Sequence, residues 1–420
     1  MTKPARHRFN PFAALGPGLI TGAADDDPSG ITTYSQAGAQ FGFQMLWTVL
    51  LTYPFLAVFQ LICAETARVS GLGLAANIKT SFSPFILRAV VVLLLIANTL
   101  NIAADLSAMG AAAELATGAN HHSMTVAFAL LTLGLQVFMP YHRYVSLLKW
   151  LTLALFAYVA VVLIVGVSPA DVAAAVLHPS LKFDTETATM VVAILGTTIS
   201  PYLFFWQSSQ EIEEMGLHHR RPLRDAPRTA RAEMRRLQID SWGGMAVTHI
   251  ISLSIMLATA ATLHAHGITR IDSAADAAEA LRPLAGDFAF ALFAIGIIGT
   301  GLLAVPVLAG SAAYALSETM GWRAGLELKP AEARGFYGLI AAAIIIALLL
   351  NFSSIDPITA LFWSAVVNGV VAVPVMVVVM LLARKHSVMG RFTLSRWHSR
   401  IGWAAIALMA VASAVMFATL

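Results

Sequence analysis

Residues 22–31 read GAADDDPSGI. Three carboxylates stand directly before a proline, between the apolar run PFAALGPGLITGAA and the polar stretch TTYSQAGAQ. A residue that precedes proline is pushed out of the helical region. A helix entering from the N-terminal side should therefore unwind at Asp27 and free backbone carbonyls there. In a membrane such an acid is expensive: a carboxylate at the bilayer centre costs at least ~2.5 kcal/mol on insertion scales. Neighbouring polar groups or a bound cation must compensate, and three acids at one helix break favour the cation. Consecutive residues point in different directions, so the three cannot share one role. Asp27 is the expected ligand, and Asp25 or Asp26 is expected to line the path or meet a neighbouring helix.

The surroundings of this stretch are those of a membrane protein. The chain has 420 residues, 58% hydrophobic and 12% charged, whereas soluble domains are about one quarter charged. Apolar runs long enough to span a bilayer recur throughout. Eleven segments are expected, near 12–38, 44–67, 84–110, 122–140, 145–167, 187–214, 240–263, 286–318, 335–351, 356–382 and 401–419. Alternate loops, counted from the N-terminal tail, hold 23 of the 26 Lys and Arg residues. The exceptions are Lys182, Arg270 and Arg282. By the positive-inside rule the N-terminus is then cytoplasmic and the C-terminus outside. The densest basic loop, 218–236, reads as an anchor of this kind rather than a nucleic-acid or lipid-specific site. The lone Cys63 excludes an internal disulfide. The basic start MTKPARHRFN lacks a following small-residue cleavage site, so the first apolar stretch reads as a retained helix.

A second interruption lies in the sixth segment, TATMVVAILGTTISPYLFFWQSSQEIEEMG. Each interrupted segment opens a block of five. Five is odd, so the second block enters the membrane inverted. Proline-broken segments at matching places in two halves point to an inverted-repeat transporter with its site at the midplane. One integrated domain is expected over 1–420, with repeats at about 12–167 and 187–382 and an extra helix at 401–419. Pro201 removes a donor, and the carbonyls around Gly196, Thr197 and Thr198 should be left open as ligands. Thr197, Thr198 and Ser200 add hydroxyls. No Cys, His or Met occurs between 191 and 210. Carboxylate, carbonyl and water suit magnesium, calcium and manganese, whereas thioether and imidazole suit softer metals. The oxygen-only wall favours a hard divalent ion.

The stretch GPGLITGAADDDPSGITTYSQAGAQFGFQMLW resembles the first helices of the NRAMP divalent-metal transporters, which carry GPG, a DPGN motif and QAGAQFGYxLLW. LGTTISPYLFFWQSS matches the family's LGATVMPHNLYLHSS without a gap. The likeness runs over nearly the whole chain. It implies an all-α polytopic fold of eleven transmembrane helices, a LeuT-like inverted repeat of five plus five with the first and sixth helices broken. It implies that Asp27 is the family's metal-binding aspartate and that Thr197 replaces the carbonyl-donating alanine. The departures are informative. The ligand asparagine is Gly30, the metal-binding methionine is Ser200, and the histidines tied to proton movement are Tyr202 and Gln207. In the third segment the family's DLAEVIG becomes DLSAMGA, which keeps Asp105 but replaces the glutamate with Ala108. This combination is similar to the NRAMP-related magnesium transporters. The resemblance then implies a widened site for a partly hydrated ion, moved without proton coupling. Mg²⁺ keeps its waters, and the smaller Gly30 and Ser200 leave room for them.

Asn368, in the tenth segment, is a candidate polar neighbour of the site. Asp26, Asp105, Tyr202 and Gln207 are assigned to the pathway. Glu65 is expected to be an interfacial salt-bridge partner. Glu211, Glu213 and Glu214 form either an acidic exit or a solvated helix end. His249 is expected to be packed, and the loop histidines at 121–122, 218–219, 264 and 266 are not assigned to metal. The leading expectation is a multi-pass transporter in the cell membrane, of bacterial inner-membrane type. It imports Mg²⁺ and Mn²⁺ as cargo, has no cofactor and binds no nucleic acid. The alternatives are a proton-coupled Mn²⁺/Fe²⁺ importer, a sodium-coupled solute symporter of the same architecture, and an intramembrane aspartyl protease. The protease needs two catalytic acids in a motif that is not present, so no enzyme is expected. The chain has no GxxxxGK[ST] loop for ATP-driven transport.

Overall fold

The computed structural model describes residues 17–139, 151–178, 184–352 and 355–419. The described residues are almost entirely helical. The main helices are α1 (Pro17–Asp25), α2 (Pro28–Phe41), α3 (Leu46–Ser70), α4 (Leu74–Ser81), α5 (Pro84–Thr117), α6 (His121–Phe138), α7 (Phe156–Val165), α8 (Pro169–Leu177), α9 (Thr185–Thr198), α10 (Pro201–Leu217), α11 (Ala230–Thr262), α12 (Ala289–Met320), α13 (Arg334–Leu350), α14 (Pro357–Ala383) and α15 (Arg396–Thr419).

Local chemistry sets many of the boundaries. Asp27, Ser83, Asn120, Asp184 and Asp356 cap the N-termini of α2, α5, α6, α9 and α14 with a side-chain oxygen, each satisfying an amide that the helix leaves without a partner. Proline follows the cap in α2, α5 and α14, where its missing N–H is harmless. Gly71 and Gly118 end α3 and α5 in the left-handed conformation, at φ 75° and 72°.

All eleven expected segments fall largely on helices, apart from residues 12–16, 140 and 145–150 of the first, fourth and fifth, which lie outside the described residues. Among the described residues, eight helical stretches are long and apolar enough to cross a membrane, or nine if the bent pair Leu153–Val165 and Pro169–Leu177 forms one crossing. The number differs from eleven for physical reasons. A 3₁₀ turn joins α2 to α3 into one continuous stretch, Pro28–Ser70, and α13 has only 17 residues. α11 starts ten residues before its apolar run because the arginine-rich stretch is itself helical. There Glu233 meets Arg68 at 3.1 Å and Arg220 and Arg236 at 3.4 Å.

Helices meet closely where side chains are small, as membrane helices do without a hydrophobic drive between them. A Cβ on Gly196 of α9 would lie 2.1 Å from the Ala365 carbonyl of α14, and one on Gly310 of α12 would lie 2.7 Å from the Trp206 ring. The basic connections gather on one face. The Leu223 amide donates to Arg68 O, Lys79 to Thr319 O, and Arg391 to Pro227 O. On the opposite face Gln36 binds the 269–271 loop and His264 meets Ala39 O.

Candidate functional site

The two breaks are two residues long. α1 ends at Asp25 and α2 begins at Pro28; α9 ends at Thr198 and α10 begins at Pro201. Asp27 and Ser200 are the extended residues before each proline, with ψ of 169° and 131°. The interrupted pairs face each other. The Ser29 and Thr197 hydroxyls lie 3.4 Å apart, the Tyr34 and Thr198 hydroxyls 2.7 Å apart, and the Tyr202 hydroxyl donates to Ala24 O at 3.1 Å. The Thr21 hydroxyl is 2.7 Å from Gln207 Oε1.

At this crossing the Asp27 Oδ1 atom accepts from the Ser29 hydroxyl and the Gly30 amide, both at 2.7 Å. Asp26 and Asp25 turn to α11, where the Thr248 hydroxyl lies 2.7 Å from Asp26 Oδ1 and 3.3 Å from Asp25 Oδ2. Asp105 of α5 completes the set. It is fully buried and lies within electrostatic reach of Asp27 and near the Ser29 amide. All four aspartates are 3% exposed or less. Among the described residues, none of them forms an ion pair with Lys, Arg or His. Four buried carboxylates without a cationic side chain must either hold a cation or be protonated.

Other candidates are placed as follows. Ser200 is 1% exposed, and its hydroxyl lies 2.7 Å from Gly196 O and 3.0 Å from Thr197 O. These carbonyls were expected to stand open. Instead the serine side chain folds back on them, as Ser and Thr hydroxyls do when they compete for backbone groups. Thr198 donates to Ile194 O at 2.7 Å and pairs with Tyr34. Both amide atoms of Asn368 are buried and unpartnered, one residue from Gly369, which packs against Gly196. Gly30 is helical. A Cβ there would sit 3.3 Å from Asp25 O and Thr197 Oγ1 and 3.4 Å from Asp27 Oδ1, so the missing side chain leaves its place to three oxygens.

The expected salt bridge of Glu65 is not formed among the described residues. Glu65 is 9% exposed, and its neighbour Arg68 is taken by Glu233. The α10 acids are individually engaged rather than gathered in a vestibule: Glu211 with Arg236 at 2.5 Å, Glu213 with the Tyr314 hydroxyl and the Leu326 amide, and Glu214 with His218 at 3.1 Å. His249 packs edge-on against Tyr53 and lies 2.9 Å from Met245 O. Sequence reasoning missed Ser29, Thr248 and Asn101, whose amide atoms are buried and unpartnered one turn from Asp105. Only Ser29 had a local signal, since it lies two residues after a helix cap.

Towards the basic face the site is sealed by α1. Cβ atoms on Gly18 and Gly22 would lie 2.7 Å from Asp240 O and 2.5 Å from Gly244 O, and the Gly18 amide donates to Asp240 Oδ2 at 2.7 Å. Towards the opposite face a cavity of about 460 Å³ opens between α2, α9 and α14 and reaches Thr32. The seal predicts a mutational effect. Gly22→Leu overpacks it at a cost of about 1–3 kcal/mol, enough to drive α1 off α11. A cysteine placed at Ala24, which is fully buried, should then react with a thiol reagent from the basic face at least about tenfold faster than in the Gly22 background. Equal labelling rates would show that the glycine contact does not hold the seal.

The description "Natural resistance-associated macrophage protein-like" (Nramp) matches residues 18–419, and the chain belongs to this family. It is similar to the divalent metal cation transporter MntH of Deinococcus radiodurans, with 26% identity over 94% of this chain and 87% of that one. The MntH of Klebsiella pneumoniae is 24% identical over 95% and 92%. The MntH of Acidiphilium cryptum is 29% identical over 70% of this chain, a match spanning 66% of that protein. In structure the chain is similar to a manganese transporter of Eremococcus coleocola crystallised with an aromatic bis-isothiourea compound, with TM-score 0.75, 18% identity, and coverage of 98% and 88%. It is also similar to Mhp1, a nucleobase-cation-symport-1 family transporter, with TM-score 0.58, 14% identity, and coverage of 96% and 88%. The fold is therefore the broken-helix transporter fold expected from the two prolines.

Proposed function

We propose that the protein is a secondary transporter that carries Mg²⁺, with Mn²⁺ as a second substrate, into the cell without proton coupling. The observation that carries this reading is the set of four buried aspartates at the crossing of two broken helices, with no basic partner among the described residues. The relatives' names as divalent metal cation and manganese transporters support the charge of the cargo. Asp27, Thr197, Thr198, Ser200 and Asn368 supply the oxygen ligands directly or through water, and Gly30 supplies space. Asp26, Asp105, Tyr202 and Gln207 line the path. No thioether or imidazole belongs to this set, which favours a hard ion.

The basic face is assigned to the cytoplasm, so both termini of the site's path have a direction: entry by the open cavity, exit past α1. The whole chain acts as one transport domain, with repeats over 12–167 and 187–382 and the helix at 401–419 outside them. Uncoupled import needs no further energy source. A divalent charge crossing 100 mV gains about 4.6 kcal/mol, an accumulation on the order of a thousandfold. Purified protein in liposomes, offered a panel of divalent ions with and without a pH gradient, tests the reading. The expected result is Mg²⁺ and Mn²⁺ uptake without lumenal acidification, at rates flat between about pH 6 and 8. A lumenal pH drop proportional to uptake would favour the proton-coupled reading, with the buried Asp105 as carrier. Absence of any divalent uptake would overturn both.

A further inference from the structure

The cavity on the face opposite the basic loops is lined by Thr32, Gln36 and Gln40 of α2 and by Thr185, Glu186 and Thr189 of α9. The three α2 residues are four apart and share one helix face. From Asp27 the helix rises about 20 Å to Gln40 at the mouth and about 7.5 Å to Thr32 at the inner end, so the cavity leads from the mouth towards the aspartate crossing. Two carboxylates line it. Asp272 is paired with Arg270 at 3.5 Å, and both are exposed at the rim. Glu186 forms no ion pair among the described residues. Glu186 is itself exposed, and among the described residues its Oε2 accepts one hydrogen bond, from the Gln40 amide at 3.1 Å. At the floor the Thr32 hydroxyl is 1% exposed and has no partner, although it lines the cavity.

We propose that Glu186, with Gln40, Thr189 and Thr32, forms a second cation site that captures the divalent ion with its water shell intact before it reaches Asp27. Size and chemistry agree. A hexahydrated Mg²⁺, with Mg–O of about 2.1 Å and a water radius of about 1.4 Å, is a sphere of about 180 Å³, which the cavity of about 460 Å³ holds easily. Its walls offer hydroxyl and amide oxygens suited to hydrogen-bonding coordinated water, and one net negative charge. Mg²⁺ dehydrates reluctantly, so a site that asks for no dehydration can load quickly and release inward. The exposed carboxylate raises the local concentration of cation at the mouth. Gln36 stabilises this mouth rather than binding the ion: its Oε1 accepts from the Ile271 amide at 2.9 Å and its Nε2 donates to Gln40 Oε1 at 3.3 Å.

This inference rests on the divalent-cation reading, and the test separates the two. Mn²⁺ binding is followed by electron paramagnetic resonance on purified full-length protein, alongside Mg²⁺ uptake in liposomes. Wild type should bind Mn²⁺ at two classes of site. Asp27→Ala should keep a weak class that Glu186→Gln, added to it, removes. In the Asp27 background, Glu186→Gln should raise the half-saturating Mg²⁺ concentration about three- to tenfold at low ionic strength. The difference should disappear in high salt, where the charge is screened. The glutamine keeps the acceptor for Gln40, so a merely structural latch predicts no shift. Arg270→Gln should lower the half-saturating concentration. A single Mn²⁺ class, or an unchanged half-saturation in Glu186→Gln, would overturn the capture site while leaving the transport reading intact. No Mn²⁺ binding by wild type would overturn the transport reading itself.

Discussion

An Asp27→Ala protein is expected to fold and to lose Mg²⁺ uptake by more than about 100-fold, the loss that even outer positioning residues of metal sites can produce. Asp27 supplies the only charge among the proposed ligands. It also caps α2, accepting from the Gly30 amide at 2.7 Å, and losing a cap costs about 0.5–2 kcal/mol. That cost does not unfold a bundle of this size, but it is a reason to compare Asp27→Asn. Asparagine keeps the capping oxygen and removes only the charge. Both variants should be transport-dead, and Asp27→Asn should match wild type in thermal stability without metal. Added Mg²⁺ should stabilise wild type, by about 2.7 kcal/mol at a hundredfold excess over its dissociation constant, and stabilise Asp27→Asn far less. Near-normal uptake by a folded Asp27→Asn protein would remove Asp27 from the ion's immediate surroundings.

The sequence made the helix breaks legible because proline acts locally. Pro28 and Pro201 disfavour a helical residue before them, and Asp27 and Ser200 are extended accordingly, whereas Pro54, Pro306 and Pro374 stay inside α3, α12 and α14. What the breaks touch was not legible. Ser29 meets Thr197 across 168 positions, and Thr248 reaches Asp26 across 222. No local pattern marks a threonine in an apolar helix as the partner of a distant acid. The expectation of open carbonyls failed for a related reason. Removing a backbone donor predicts a free acceptor only if no side chain takes its place, and the Ser200 hydroxyl does so for Gly196 and Thr197. The arginine-rich stretch before residue 240 lacked apolar periodicity. Ion pairs of Glu233 to three arginines hold it in place in α11.

Selectivity is the second large effect, and the same serine decides it. Ser200→Met removes the hydroxyl that covers the Gly196 and Thr197 carbonyls and places a thioether beside them. Gly30→Asn introduces an amide among Asp25 O, Thr197 Oγ1 and Asp27 Oδ1, where even a Cβ has contacts of 3.3–3.4 Å. Gly30 is helical and has no positive φ, so the asparagine meets crowding but no backbone penalty. The crowding acts on the space available to coordinated water. Mg²⁺ depends on that water most, while Cd²⁺ sheds it and gains from sulfur. The double variant should therefore shift the Mg²⁺-to-Cd²⁺ preference towards Cd²⁺ by about ten- to hundredfold, the range over which changes around a metal site act. Most of the gain for Cd²⁺ should appear in Ser200→Met alone, and most of the loss for Mg²⁺ in Gly30→Asn. Competition between the two ions for uptake into the same liposomes reads both. An unchanged preference in a folded Ser200→Met protein would mean that residue 200 faces away from the ion, and that the turn before Pro201 contributes backbone shape but no ligand.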